Sequence, residues 1–398
     1  MGAVPGTPVV AMVGGGQLAR MTHQSAIALG MSLRVLAVSP EDPAAQVAPD
    51  VVLGSHTDLE ALRTAAVGAA AVTFDHEHVP TELLHALVAD GVPVLPGPGA
   101  LVYAQDKLAM RRRLAELGAP VPRFTAVETV DDVDAFAASV GGAVVVKTVR
   151  GGYDGRGVVL ADDPAAAREA VAGYLRDGVP VLLEERVAMR RELSALVARS
   201  PLGQGAAWPV VETVQRQGIC VTVLAPAPGL APGVAAEAEQ LGLRIAEELG
   251  VVGVLAVELF ETTGGALMVN ELAMRPHNSG HWTQNGSVTS QFEQHLRAVL
   301  DYPLGDTRPL APVSVMANVL GAPHAAAMGM DERVHHLFGR IPDAHVHLYG
   351  KAERPGRKIG HVNVLGDDIE AVRERAERAA HWLSHGIWTD GWDGHGHG

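Results

Sequence analysis

A glycine-rich segment, residues 151–157, combines residue types that could handle phosphate groups. It reads Gly-Gly-Tyr-Asp-Gly-Arg-Gly and follows an apolar run typical of a buried strand, which ends at Lys147. Glycines allow positive φ angles and expose backbone N–H groups, so such a loop can approach a phosphate closely. Glycines alone would equally fit an ordinary hairpin loop. The lysine before the loop, with Asp154 and Arg156 inside it, favours a phosphate site.

Two glutamates in a predicted β-hairpin could bind a divalent cation. A Thr-Thr-Gly-Gly turn lies between Glu258 and Glu271. If Val269 pairs with Glu258, the two carboxylates lie on one face as diagonal neighbours, roughly 7 Å apart at Cβ. Carboxylates this close repel unless a cation joins them, and their hard oxygens suit Mg²⁺. A register slip of one residue would separate them, and an exposed acidic hairpin is the alternative.

Lysine is rare in this chain, and its positions are informative. Only four of the 31 basic residues are lysine: Lys107, Lys147, Lys351 and Lys358. Arginine serves almost everywhere else, so we expect these lysines where a compact ammonium is needed, although chance scatter would also produce the pattern. Lys107 begins a predicted helix over 106–117, where the helix dipole disfavours a cation. That cost indicates a ligand for Lys107.

A turn near the C-terminus, residues 351–358, carries four cations against one acid. It could be a solvated hairpin tip or an anion site. The chain has a net charge of −14, so a local concentration of positive charge favours the anion site.

The N-terminal region has a strand, a glycine turn, a helix and a second strand, which together predict a doubly wound parallel sheet. The turn Gly14-x-Gly16-x-x-Ala19 is a degenerate dinucleotide fingerprint, so a nicotinamide dehydrogenase is one alternative. It could equally bind a single phosphate at the helix N-terminus. Another strand ends in Asp-His-Glu-His at 75–78, where Glu77 could reach a substrate; we consider a transition-metal site there the weaker interpretation.

Composition sets further limits. A chain of 398 residues has room for two or three domains. Its negative net charge argues against nucleic-acid binding as the main task. The single cysteine, Cys220, fits a reducing compartment and is expected to be a buried strand thiol. No apolar run approaches 18 residues and no signal peptide is evident, so we expect a cytoplasmic protein without membrane contact.

Four motifs in order resemble the ATP-grasp superfamily and, within it, the family of 5-(carboxyamino)imidazole ribonucleotide synthases of purine biosynthesis. They are the glycine loop 151–157, Asn-Glu-Leu-Ala at 270–273, Pro-His-Asn-Ser-Gly-His-Trp-Thr at 276–283, and Arg-Pro-Gly-Arg-Lys at 354–358. The strand end 75–79 differs from the more acidic family pattern, which leaves the role of Glu77 open.

The resemblance implies a mixed α/β and α+β fold with ATP-grasp architecture. It implies an N-terminal domain over 1–104 built on a doubly wound parallel sheet. The ATP-grasp domain of antiparallel sheets would cover 105–310, with a lid subdomain over about 120–190. A small β-rich domain with a disordered tail would cover 311–398.

The resemblance also implies roles for individual residues. The expected catalytic residues are Tyr153, Asp154, Arg156, Arg275, His277 and Asn278. The expected ATP-binding residues are Lys107, Lys147, Gly152, Gly155, Gly157, Glu184, Glu185, Val187, Glu192 and Asn270. The expected substrate-binding residues are Gly16, Gln17, Leu18, Glu77, Lys351, Arg354, Arg357 and Lys358. Glu258 and Glu271 would hold Mg²⁺.

The activity implied by the resemblance is an ATP-dependent ligation. Bicarbonate would be activated as carboxyphosphate and captured by the amine of 5-aminoimidazole ribonucleotide, releasing ADP and phosphate, with ATP and Mg²⁺ required and a homodimer as the assembly. The alternatives are a sister ATP-grasp enzyme that activates formate on glycinamide ribonucleotide, the nicotinamide dehydrogenase, and a non-catalytic nucleotide sensor.

Overall fold

The N-terminal part of the chain is a parallel sheet with helices packed against it. The computed structural model describes residues 6–152 and 157–392. The sheet order is β3-β2-β1-β4. The strands β1, β2 and β4 are almost entirely buried, as parallel strands covered on both faces require, whereas the edge strand β3 is partly exposed. The elements are β1 (Val9–Val13), α1 (Gln17–Ala28), β2 (Ser32–Ala37), β3 (Asp50–Leu53), α2 (Leu59–Ala66), β4 (Ala71–Phe74) and α3 (Thr81–Ala89).

Two helices lead from this sheet into the centre of the molecule. They are α4 (Pro98–Gln105) and α5 (Lys107–Glu116). The side chain of Asp106 caps α5 by accepting a hydrogen bond from the Ala109 N–H. The predicted helix over 106–117 is therefore confirmed, with Lys107 as its first residue.

A second sheet of four antiparallel strands falls within the segment predicted as a lid. Its order is β5-β8-β6-β7, and two helices cover one face with a core of their own. The β6–β7 pair flanks the glycine loop, as predicted. The elements are β5 (Phe124–Ala126), α6 (Asp132–Val140), β6 (Val144–Thr148), β7 (Val158–Ala161), α7 (Pro164–Arg176) and β8 (Val181–Glu185).

The next elements build most of a larger sheet. The apolar pattern over 207–213 also predicts a strand of an antiparallel sheet. That prediction is wrong as a single element, because residues 208–210 interrupt it and Trp208 packs into the core. The elements are β9 (Met189–Arg199), β10 (Gly205–Ala207), β11 (Val211–Arg216), β12 (Ile219–Ala225), α8 (Pro232–Glu248), β13 (Gly253–Thr262), β14 (Leu267–Ala273), a 3₁₀ turn (Asn278–Gly280), α9 (Thr283–Gly286) and α10 (Gln291–Val299).

The C-terminal region, as described up to residue 392, contains three strands and two helices. Its elements are β15 (Val313–Leu320), α11 (Met330–Arg340), β16 (His345–Leu348), β17 (Lys358–Gly366) and α12 (Ile369–His385). Its three strands agree with the expected β-rich C-terminal domain, and the helix α11 is an element that was not predicted. The domain boundaries at 104 and 310 stay a prediction.

The strands from β9 onward form one sheet of nine strands. Its order is β14-β13-β9-β11-β12-β15-β17-β16, with β10 paired to β9. Side chains from strands β9 to β15 meet in one apolar cluster around Trp208 and Trp282, so the sheet curves around that core. Cys220 lies in this cluster, where burial raises the pKa of its thiol to about 12. Within the described ranges, no helix is long and apolar enough to cross a membrane.

Candidate active site

Lys147 joins the four-stranded sheet to the β13–β14 hairpin that carries Glu258 and Glu271 (the metal hairpin, named for its predicted role). It lies near the end of β6, and its Nζ is 2.8 Å from Glu184 Oε2 and 3.0 Å from Asn270 Oδ1. Burial acts to raise the pKa of Glu184, but Lys147 and Arg111 outweigh it and hold that pKa below its ordinary value. The structure therefore brings together Lys147, Glu184 and Asn270, three residues predicted to bind ATP.

Arg111 is a candidate site residue that the sequence reasoning missed. Its side chain is fully buried, and its Nε donates to Glu184 Oε1 at 2.7 Å while its Nη2 donates to the Asn270 carbonyl at 2.7 Å. The available signal was its position one helical turn after Lys107, which places both cations on one face of α5. Three consecutive arginines in an arginine-rich chain hid that signal.

The other predicted ATP-binding acids have different surroundings. The Glu185 carboxylate accepts hydrogen bonds from the backbone N–H and the Nε of Arg123, at 2.9 and 2.8 Å. Arg123 directly precedes β5, so Glu185 binds the start of that strand. Glu192 lies on β9, where burial and the nearby charge of Glu258 raise its pKa to about 7. Val187 is half-buried after the end of β8.

The two glutamates of the predicted metal site lie directly opposite each other. The predicted register, with Val269 opposite Glu258, is wrong: Val269 pairs with Leu259, and Glu258 pairs with Glu271. A β-bulge at Asn270 causes the difference, because one extra residue of β14 is accommodated there. Directly opposite residues have Cβ atoms about 4.5–5.5 Å apart, which is closer than the predicted diagonal.

Cations and a histidine flank this pair. Lys107 Nζ lies 3.0 Å from Glu271 Oε1 and donates to the Gly151 carbonyl at 3.2 Å, so it links the hairpin to the glycine loop. His277 Nε2 lies 3.2 Å from Glu258 Oε1. Burial acts to raise the pKa of Glu258, but His277 and nearby cations, including Lys358, outweigh it and lower that pKa.

The glycine loop is only partly described. Gly151 and Gly152 are exposed with positive φ, and Gly157 also has a positive φ of 72°. A Cβ on Gly157 would lie 2.5 Å from Thr148 Oγ1, so this position requires glycine. Four predicted site residues lie outside the described residues: Tyr153, Asp154, Gly155 and Arg156.

On the opposite side of the cleft, the glycine turn at residues 14–16 lies close to the basic turn at residues 351–358, which we call the cation turn. Gln17, the first residue of α1, accepts a hydrogen bond from Lys351. Arg275 Nε lies 2.7 Å from Glu77 Oε2. The predicted substrate residues Gln17, Glu77 and Lys351 therefore line one region. Leu18 differs, because its side chain is buried in the core.

Asp75 occupies the place where a phosphate was expected. Its carboxylate accepts hydrogen bonds from the Gly16 and Ala19 N–H groups at the start of α1. Burial raises the pKa of Asp75, opposed by the Gly16 N–H and by Arg275. A Cβ on Gly16 would clash with this carboxylate. Because the Gly16 and Ala19 N–H groups already donate to Asp75, they cannot bind the pyrophosphate of a dinucleotide. The glycine turn therefore no longer supports the dehydrogenase alternative.

The loop after the metal hairpin is held rigidly. The His277 side chain accepts from the Ser279 N–H and caps the 3₁₀ turn. His277 Nδ1 also lies 2.9 Å from Ser279 Oγ. Asn278 Nδ2 is buried, and the Asn278 side chain lies within reach of the Cys220 thiol. The predicted catalytic residues Arg275, His277 and Asn278 therefore all adjoin the cleft.

The cation turn presents its basic residues in different ways. Arg354 is exposed, Lys351, Arg357 and Lys358 are half-buried, and Arg357 Nη1 donates to the Ala352 carbonyl at 3.3 Å. Lys358 begins β17, and its charge acts on Glu258 and His281. The charge of Lys358 thus links the cation turn to the metal hairpin.

Behind these residues lies a group of buried aromatic rings that the sequence did not predict. His361 stacks on His347 with ring centroids 4.5 Å apart, and His361 Nδ1 lies 2.8 Å from the Tyr349 hydroxyl. Burial lowers the pKa of His347 to about 4 and that of His281 and His361 well below the ordinary value. The rings are therefore neutral and pack as structural supports for the loop and the turn.

Comparison with known proteins agrees with this geometry. Three family models match: the ribonucleotide synthetase preATP-grasp domain over residues 8–105, the ATP-grasp domain over 112–292, and the phosphoribosylaminoimidazole carboxylase C-terminal domain over 314–375. The N5-carboxyaminoimidazole ribonucleotide synthase of Mycobacterium tuberculosis is 70% identical over 388 residues, covering 98% of this chain and 90% of the relative. That of Corynebacterium ammoniagenes is 54% identical over 398 residues, covering 98% and 95%.

A solved structure resembles the whole chain. It is the N5-carboxyaminoimidazole synthase of Aspergillus clavatus in complex with ADP and 5-aminoimidazole ribonucleotide, with a TM-score of 0.84, 30% identity, and 95% and 98% of the two chains covered. The chain belongs to the N5-carboxyaminoimidazole ribonucleotide synthase family of ATP-grasp ligases.

Proposed function

We propose that this chain is an ATP-dependent ligase that carboxylates the amine of 5-aminoimidazole ribonucleotide with bicarbonate. The products are N5-carboxyaminoimidazole ribonucleotide, ADP and phosphate, a step of purine biosynthesis. The observation that carries the proposal is the pair Glu258 and Glu271, with Lys107 and Lys147 on one side and Lys358 on the other. One cleft thus has a nucleotide end and an acceptor end.

The donor set of this pair fits Mg²⁺. Two opposed carboxylates supply hard oxygen ligands, and in the described ranges no group of three or more His, Cys, Asp or Glu side chains gathers as a metal site. The remaining ligands would therefore be phosphate oxygens and water, which is how Mg²⁺ usually binds beside nucleotides. When bound, the ion supplies charge neutralisation to the ATP phosphates.

The chain's own residues provide the rest of the chemistry. Bicarbonate is a poor electrophile, so its oxygen first attacks the γ-phosphate to give carboxyphosphate, and this step depends mainly on positioning and charge neutralisation. Lys107 and Lys147 supply positive charge at the nucleotide end. Arg275, His277 and Asn278 offer donors beside the metal hairpin, where the small anion bicarbonate would bind.

The acceptor amine needs a base as carboxylation proceeds. We assign that role to Asp154, with Tyr153 and Arg156 beside it, on the motif alone. The carboxylate would accept the amine proton while the loop excludes water that would hydrolyse carboxyphosphate. Near-normal turnover by Asp154→Asn with saturating ATP and bicarbonate would rule the assignment out.

An ADP-release assay with each substrate omitted in turn tests the proposal. ADP release that requires both bicarbonate and the ribonucleotide supports it. Release that depends on formate instead would indicate the sister transformylase, and equal release without aminoimidazole ribonucleotide would refute the acceptor assignment. The cytoplasmic location and the homodimer are likewise proposals, and light scattering of the purified chain tests the latter.

A further inference from the structure

The cation turn contains one acid, Glu353, whose position matters for anion binding. A free carboxylate in a turn with Lys351, Arg354, Arg357 and Lys358 would pair with those cations and repel a phosphate. In the structure Glu353 instead forms an ion pair with Arg333 of α11. The acid is therefore held by a partner that lies outside the turn.

Arg333 is itself fixed by the C-terminal end of a neighbouring helix. Its side chain is 2% exposed, and its Nη1 donates to the Leu383 carbonyl and, at 3.3 Å, to the Ser384 carbonyl. The Trp382 Nε1 donates to the Arg333 carbonyl at 2.7 Å. The last carbonyls of α12 carry partial negative charge, so they hold this guanidinium in place whether or not Glu353 is present.

The turn does not depend on the ion pair for its backbone position. The Gly356 N–H donates to the Gly321 carbonyl at 2.9 Å, and the Gly321 N–H donates to the Arg357 carbonyl at 2.8 Å. These two bonds fasten the turn to the end of β15. The effect of the Arg333–Glu353 pair is therefore mainly electrostatic.

We propose that Arg333 is a positioning residue that draws Glu353 away from the anion site, so that all four cations of the turn act on the phosphate of the ribonucleotide. The inference rests on the proposed function for the identity of that ligand. The turn alone has a formal charge of +3 (four cations, one acid), and the Arg333 partner compensates the acid.

The test uses the full chain with four variants: Arg333→Met, Glu353→Gln, the double variant, and Arg340→Met as a matched control. Arg340 lies on the same helix and also pairs with an acid, Asp390, but away from the turn. A cavity of about 270 Å³ adjoins both Arg333 and Glu353, so water can reach the polar groups that the substitutions leave without a partner.

The proposal predicts a defined pattern of Michaelis constants. Arg333→Met should raise KM for aminoimidazole ribonucleotide about tenfold, the effect expected of a unit charge roughly 10 Å from a phosphate at intermediate dielectric constant. KM for ATP and kcat should stay within about twofold, as should all constants of Arg340→Met. The double variant should recover most of the loss, because it removes the released acid.

A double variant as impaired as Arg333→Met would overturn the proposal, since the role of Arg333 would then be structural. If Arg333→Met does not fold, Glu353→Gln decides: KM must stay within about twofold, and a larger rise means that the pair holds the turn in place. Inhibition by inorganic phosphate, weakened in Arg333→Met and recovered in the double variant, tests the pair without the ribonucleotide. If ADP release by the wild-type chain does not respond to the ribonucleotide, but the variants still show this pattern of phosphate inhibition, only the proposed function is refuted.

Discussion

Replacing Arg111 with methionine should destabilise the protein by about 3 kcal/mol and weaken ATP binding. The substitution keeps a long side chain but removes the hydrogen bonds to Glu184 and to the Asn270 carbonyl, both 2.7 Å. Losing a hydrogen bond to a charged group costs about 1.5–3 kcal/mol, and leaving the carbonyl without a donor costs about 1 kcal/mol more. Glu184 keeps Lys147 at 2.8 Å, so the loss stays near the lower end of the range for broken buried ion pairs.

Urea unfolding of the full chain measures this loss, with Arg112→Met as the matched control. Arg112 is the next residue of α5 and is exposed, so its substitution should change stability by no more than about 0.5 kcal/mol. Arg111→Lys can satisfy one of the two acceptors and should recover part of the loss. A cost for Arg111→Met equal to that of Arg112→Met would refute the reasoning, because the buried contacts would then carry no net energy.

The pH dependence provides a second check on the same variant. Arg111 and Lys147 hold the native pKa of Glu184 below the ordinary carboxylic-acid value of 4.5. The stability that this contributes is present above pH 4.5 and is lost as the pH falls through the native pKa. The difference between wild type and Arg111→Met should therefore be largest near neutral pH and shrink in acid. KM for ATP should rise about tenfold, because Arg111 holds Glu184 and Asn270, the two residues that position Lys147.

Three further predictions concern single positions. Glu192→Gln should stabilise the protein at pH 8 but not at pH 4 in urea unfolding, because the native pKa of about 7 means that the charged form costs stability as the pH rises; equal effects at both pH values would contradict this. Asp75→Asn should raise KM for the ribonucleotide but not for ATP, because the amide cannot accept from both Gly16 and Ala19; unchanged constants would show that Asp75 has no role in shaping the turn. Gly321→Ala should raise the same KM, because its Cβ would clash with the Arg354 carbonyl oxygen; a crystal structure of the variant with the turn unmoved would refute it.

The parts of the fold that the sequence predicts are those where pattern and environment agree. Apolar strands, the glycine loop and the first helix of the central region are local features, so their residues are sufficient to place them. The helix α11 follows a segment rich in glycine and alanine that carries no clear start signal, which is why its 11 residues were missed. The interruption around Trp208 depends on a side chain entering a distant core, which local pattern does not reveal.

The residues of the candidate site were proposed from motifs, but their arrangement became visible only in the folded chain. The motifs identified Lys107, Lys147 and both glutamates, but alternation could not reveal the bulge that aligns the glutamates, because a bulge leaves no mark in the spacing of apolar residues. Asp75 was overlooked because its partners, the N–H groups of the glycine turn, are 56–59 residues away in sequence. Contacts between distant backbone and side-chain groups require the folded chain.

The continuity of the nine-stranded sheet has a mechanical consequence. Glu258 on β13 and Lys358 on β17 are separated by five steps in the strand order, about 24 Å if the sheet were flat, yet their charges interact across the curved interior. One continuous hydrogen-bonded sheet therefore carries both Glu258 and Lys358, so strand pairing fixes the separation of these two residues. The four-stranded sheet that carries Lys147 is separate, so it can shift relative to Glu258 and Lys358 without breaking any hydrogen bond between strands.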